Sequence, residues 1–180
     1  MYRQARGITL IELLVVMAVL AILACIVLPA FRDAMARAKS GSARTAMLGS
    51  LTDSIRHAGT TGTEVVLCPG SPEHGCVDTF DWSNGWLAYA DINGDRQRDG
   101  SETLVSSKPP LGSSVRLLSS TGRRRLVVQP SGGNAGSNVT FTLCDRRGAS
   151  HAESLVLSNA GDLRRGRAKP AAASSCSALL

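Results

Sequence analysis

The chain is 180 residues long, 43% hydrophobic and 4% aromatic, with a formal charge of +6. About 150 residues lie beyond an apolar N-terminal stretch, which accommodates one globular domain and excludes two. With so few aromatics the core is expected to rest on Val, Leu and Ile. The basic excess is modest, so where the charges sit matters more than their sum.

The first predicted element is the apolar run Ile8 to Leu28, 21 residues with Glu12 as the only charge. A helix of that length spans roughly the 30 Å hydrocarbon core of a bilayer. It is apolar all round, unlike the striped helix of a soluble domain. Arg3 and Arg6 precede it, so the positive-inside rule places the N-terminus in the cytoplasm and everything after Phe31 in the periplasm, as a single-pass inner-membrane protein. A secretory signal peptide would have a shorter apolar core and a small-residue cleavage site. Here the run continues past Ala24, and a carboxylate stands inside it, where burial is costly. The stretch Gly7-Ile8-Thr9-Leu10-Ile11-Glu12-Leu13 resembles the class III leader of type IV pilins and pseudopilins. The resemblance implies that a prepilin peptidase cuts after Gly7 and methylates the new N-terminal Ile8, where the family usually has Phe. It also implies that Glu12 pairs with the free N-terminal amine of an adjacent pilin during filament assembly.

Pro29 is expected to kink or interrupt the helix, and Phe31 to Lys39 resume good helix formers. Arg44 to His57 reads as an amphipathic continuation, with Ala46, Met47, Leu51 and Ile55 on one face, ended by Gly59 and Gly62. Short strand-like runs follow at 64–68, 85–90, 104–106, 115–118, 125–128, 138–143 and 155–157, punctuated by Gly, Ser, Asn and Pro. No βαβ alternation occurs. The expected fold is α+β: a long N-terminal helix, membrane-spanning in its first half, packed on an antiparallel β domain. The expected organisation is a leader at 1–7, a membrane or filament-core helix at 8–28, its continuation at 29–58, the β domain at 59–169 and a tail at 170–180. Pro130 to Ser137 reads as a long flexible loop. The Ala- and Ser-rich tail is expected to fray unless Cys176 pins it.

Cys25 lies in the apolar run and reads as a plain buried thiol. Cys68, Cys76, Cys144 and Cys176 fall in the exported part, where disulfides persist. Four cysteines allow three pairings. The short loop between Cys68 and Cys76 suits a local bridge, and Cys144 with Cys176 would then tie the tail to a late strand. A zinc site is the competitor, with His74 between the first pair, although no CxxC occurs.

The stretch "WSNGWLAYADINGDRQRDGSETLV" is similar to a segment of the GspH/FimT group of minor pilins: W-x-x-G-W, then D-x-N-x-D and a later glutamate. Trp82, Gly85, Trp86, Asp91, Asn93, Asp95, Asp99 and Glu102 carry the similarity. It implies a β domain of two antiparallel sheets packed on the end of the long helix. Asp91, Asn93, Asp95, Asp99 and Glu102 also occupy positions 1, 3, 5, 9 and 12 of an EF-hand-like calcium loop. Against calcium, Arg96 stands where the sharp turn wants glycine, and the flanks read as strands. An Asx-rich hairpin turn explains the same residues without metal, so no cofactor is expected.

No nucleophile elbow, HExxH or phosphate loop is present. His57, His74 and His151 are scattered, and Ser154 or Ser158 near His151 has no supporting spacing, so no enzyme is expected. The basic clusters carry more information. Arg123-Arg124-Arg125, Arg146-Arg147 and the run Arg164, Arg165, Arg167, Lys169 read as loops or strand ends. Arginine forks suit phosphate, and the bland alternative is a solvated basic face. FimT-type members that bind DNA in natural transformation carry a Gly-Arg-x-Arg motif near the C-terminus, which falls here on Gly161-Asp162-Leu163-Arg164. Asp162 replaces the first arginine, and Arg164, Arg165 and Arg167 supply charge close by. The resemblance implies a FimT-like minor pilin that binds double-stranded DNA without sequence preference, first through Arg164, Arg165, Arg167 and Lys169, second through Arg123, Arg124 and Arg125. A GspH-like minor pseudopilin of a type II secretion system is the alternative.

Overall fold

A computed structural model describes Gly7 and residues 9–180. The expectations placed on Arg3, Arg6 and Ile8 lie outside the described residues. The chain divides into two compact units, the residues up to Met35 and Ala36–Leu180.

Helix α1 runs Leu10–Thr61. Thr9 caps it: its hydroxyl accepts the Glu12 N–H at 3.3 Å and its carbonyl the Leu13 N–H at 3.2 Å. Glu12 thus stands in the first turn, where a negative charge suits the helix dipole. Pro29 lies inside the helix, so the expected interruption does not occur. Losing one N–H bond does not end a helix that resumes through the strong helix formers Ala30, Arg32, Ala34 and Met35. In the first unit every described residue through Met35 is exposed, and the helix is long and apolar enough to cross a membrane.

In the second unit α1 buries Ala36, Ser40, Ala43, Met47, Ser50, Leu51, Ser54 and Ala58. Their three-and-four spacing is one helical stripe. Most are small, so the helix backbone can approach the sheets closely. The stripe includes three serines that a hydrophobic pattern passes over. Ser50 Oγ accepts the Trp86 indole N–H at 2.9 Å, and Ser54 Oγ donates to the Ser50 carbonyl at 2.7 Å. The helix continues past the expected stop at Gly59, and the chain turns at Gly62.

The first sheet holds β1 (Glu64–Ser71), β2 (Gly75–Cys76), β3 (Trp86–Asp91), β4 (Leu104–Lys108) and β6 (Leu126–Val128), with β1 between β3 and β6. The second orders β5 (Val115–Ser119), β7 (Val139–Asp145), β8 (Glu153–Leu157) and β9 (Leu163–Arg167) as β5-β7-β8-β9. All these pairings are antiparallel. One core joins Met47 and Leu51 of α1 to Val65 and Leu67, Leu117, and Phe141, Leu143 and Leu155. The core does not rest on aliphatics alone. Trp82, Trp86, Tyr89 and Phe141 are the bulkiest fully buried side chains, and Trp82 meets Phe141 edge-on at 5.2 Å. The few aromatics are spent where area burial is greatest.

Residues 163–167, read as a loop or strand end, form strand β9, and the tail, expected to fray unless Cys176 pins it, is pinned by Cys144–Cys176 and forms helix α2 over Pro170–Ser177. Pro170 sits at the start of α2, where its missing N–H costs nothing. Ala173 and Cys176 bury against Cys144 and Ala152 on the outer face of the second sheet.

Candidate functional site

β9 is the free edge of the second sheet, and all five of its residues are exposed. Its register against β8 pairs Arg164 with Val156, Arg165 with Leu155 and Arg167 with Glu153. Strand alternation therefore splits the arginines. Arg165 and Arg167 share the face of Leu155 and Leu157, while Arg164 lies on the opposite, outer face. Arg165 Nη2 bonds Glu153 Oε1 at 3.0 Å, and Glu153 Oε2 is taken by Arg44 Nη1 at 2.8 Å. Arg165 thus has a counter-ion. Among the described residues no ion pair holds Arg164, Arg167 or Lys169. Gly161 turns the chain into β9 with φ of +87°, and a Cβ there would stand 2.6 Å from the Gly132 carbonyl oxygen. That glycine is demanded by packing, whatever the strand binds.

The second basic cluster is less free than a loop reading implies. Arg123 donates to the Ala135 carbonyl at 3.2 Å, Arg125 to the Arg96 carbonyl at 2.9 Å, and Arg124 pairs with Asp78 while lying 4.8 Å over the Phe80 ring. These side chains line a cleft of about 510 Å³ that also takes in Arg96. The loop 130–137 connects the two basic regions: Ala135 receives Arg123, and the Asn134 N–H donates to the Asn159 carbonyl beside the β8–β9 turn. Sequence reasoning missed Arg96, Asp78 and Phe80, which are distant in the chain and carry no spacing signal. It also missed the capping spacing Thr9-x-x-Glu12, which is legible in the residues. Arg147 of the remaining cluster grips buried Asp145 at 2.6 and 2.9 Å.

The acidic loop is held by its own backbone. Asp91 accepts the Gly94 and Arg96 N–H groups, Asn93 that of Asp95, Asp95 that of Gln97 and Asp99 that of Ser101. Glu102 accepts those of Ile92 and Asp99. Burial pushes the Glu102 carboxyl above its ordinary value. Burial likewise lifts the Tyr89 phenol to about 12, with the Glu102 and Asp91 carboxylates adding to it. The arrangement is a run of Asx turns. Among the described residues no group of three or more His, Cys, Asp or Glu side chains is placed to hold a metal ion.

Cys68 is bonded to Cys76 and Cys144 to Cys176, with Cα separations of 5.5 and 6.1 Å. His74 instead meets Ser71 Oγ at 3.1 Å. Ser154 Oγ donates to the Arg167 carbonyl at 3.1 Å, while His151 contacts Ser150 and the Arg147 carbonyl. The structure does not bring Ser154 and His151 together as a pair.

The family described as type II transport protein GspH matches residues 56–161, more than half of the chain. The chain belongs to the GspH family. The prokaryotic N-terminal methylation motif matches residues 2–28 of this GspH-family chain. No curated protein matches it. It is similar to the type IV minor pilin FimU of Pseudomonas aeruginosa in two crystal forms. One shares 12% identity over 74% of this chain and 91% of that one, and the other 11% over 77% and 89%, each with a TM-score of 0.49. Membership makes the GspH-family chain a minor pilin or pseudopilin, a structural subunit of a type IV pilus or a secretion system. The family is not an enzyme family. The methylation motif fits processing by a prepilin peptidase, association with other pilins and anchoring in the inner membrane.

Proposed function

We propose that this subunit is a FimT-like minor pilin whose exported domain, in the periplasm before assembly, binds double-stranded DNA without sequence preference. The observation that carries the reading is the free edge strand β9, with Arg164, Arg167 and adjacent Lys169 exposed and without counter-ions. Unpaired guanidinium and ammonium groups on a sheet edge reach phosphates at little cost in desolvation, and each contact releases counter-ions from the duplex. Arg165 contributes less, because Glu153 already holds it. Arg123 to Arg125 form the secondary patch, reached across the loop 130–137.

A gel-shift titration of the full chain in non-ionic detergent, with two duplexes of unrelated sequence, tests this. Both duplexes should bind alike. R164A/R167A/K169A should weaken the shift strongly, whereas E153Q, which frees Arg165, should strengthen it. The second reading, a minor pseudopilin of a type II secretion system, is favoured by the description of the matching family. It moves ahead if the wild-type chain gives no shift or the triple variant shifts like wild type.

A further inference from the structure

We propose that the cleft between the Gly122–Arg125 turn and the Asp91–Glu102 loop is a separate site for a compact, multiply charged phosphate group. Four guanidinium groups, Arg96, Arg123, Arg124 and Arg125, line this cleft of about 510 Å³, with Asp78 as the single carboxylate.

The guanidinium groups of Arg123, Arg124 and Arg125 are each held by a partner, and Arg96 is fixed through its backbone: Asp91 Oδ2 accepts the Arg96 backbone N–H at 3.2 Å, with that residue at φ of +59°. The Arg96 carbonyl then anchors Arg125. Phe80 supports the flat face of Arg124. Arg123 is pinned to the Ala135 carbonyl, and Gly136 leaves it room, since a Cβ there would stand 2.7 Å from Arg123 Nη1. The Arg123 and Arg125 anchors each use one of the five N–H donors of a guanidinium, while the Arg96 backbone bond and the Phe80 contact use none. Ordering of this kind lowers the entropic cost of taking a ligand.

The ligand chemistry follows from the number of forks. A carboxylate has two oxygens and is satisfied by one arginine. Several forks around one cleft call for three or more acceptor oxygens and more than one negative charge, as in a phosphate monoester or a diphosphate. A cleft of about 510 Å³ is too small to seat a duplex, so its interior suits a compact group, and a polymer reaches these arginines only from the rim, as a secondary patch. Asp78 is exposed and, among the described residues, its ion pair is with Arg124, so an incoming phosphate displaces a weak surface pair. The inference does not rest on the DNA reading. The two sources of such a group are a soluble anion and a lipid headgroup.

The test is calorimetric titration of the full chain in non-ionic detergent at low salt with sodium pyrophosphate. Saturable binding is expected. R124A/R125A should weaken it about tenfold or more, since hydrogen bonds to charged groups are lost. D78N removes the competing carboxylate and should tighten it about threefold. R164A/R167A should leave it unchanged. Dihexanoyl phosphatidic acid, used as a monomer below its micelle concentration, distinguishes the sources: competition with pyrophosphate assigns a headgroup, and pyrophosphate binding without competition assigns a soluble anion. The proposal is overturned if pyrophosphate shows no saturable binding or R124A/R125A binds as tightly as wild type. It also fails if D78N does not tighten binding, a result still readable should the double variant misfold, or if R164A/R167A weakens it as much as R124A/R125A.

Discussion

Asp145 ends β7 with 1% exposure, and its stability role follows from what surrounds it. Burial pushes its carboxyl up, but the Arg147 fork and the Ser40 hydroxyl outweigh that and hold it below the ordinary value. A depressed folded-state value stabilises the fold above the unfolded pKa, and that contribution is lost as pH falls through the folded one. Urea midpoints should therefore drop below about pH 4, and D145N should flatten that dependence while lowering stability at pH 7. R147A leaves a buried carboxylate uncompensated and should cost about 3 kcal/mol at pH 7. A midpoint equal to wild type would show that the pair is not closed in solution. Glu102 acts in the opposite sense, because its raised value favours the protonated, folded form and opposes folding as pH rises.

At the scale of elements, α2 depends on its bridge. An eight-residue helix is too short to persist alone in water, so Cys144–Cys176 and the burial of Ala173 keep it folded. The bridge closes a separation of 32 residues against 8 for Cys68–Cys76. Chain entropy then gives about 3.7 kcal/mol for the first and about 2.5 for the second. C176S should lower stability more than C76S and release amide protection across Pro170–Ser177 first, as read by hydrogen exchange. Equal losses, with α2 still protected, would contradict this. The same elements show what the residues disclose before folding. β1, β3 and β7 were legible because apolar β-branched and aromatic residues cluster between turn signals. β9 was not, because Leu-Arg-Arg-Gly-Arg has no apolar face and becomes a strand only through its register with β8. α2 was not, because alanine and serine signal neither period, and burial at Cys176 decides. The basic run was visible as charge, but its division between two faces and the pairing of Arg165 with Glu153, a carboxylate shared with Arg44, arise only in three dimensions.

For the whole molecule, maturation starts at the leader. Cleavage after Gly7 would remove Arg3 and Arg6 and take the formal charge from +6 to +4. Mass spectrometry of the assembled protein should show an N-methylated Ile8. A large residue in place of Gly7 should leave the precursor uncut, while E12A should be cut but assemble poorly. An intact Met1 in the assembled fraction would contradict the processing. The central claim, that the open cations of β9 bind duplex phosphates, is tested most directly by the salt dependence of binding. With Arg164, Arg167 and Lys169 each neutralising one phosphate, these three should contribute about −2.7 to the log–log slope of affinity against salt, and R164A/R167A/K169A should flatten the slope by about that much. A slope near zero for the wild-type chain, or an unchanged slope in the triple variant, would contradict the account.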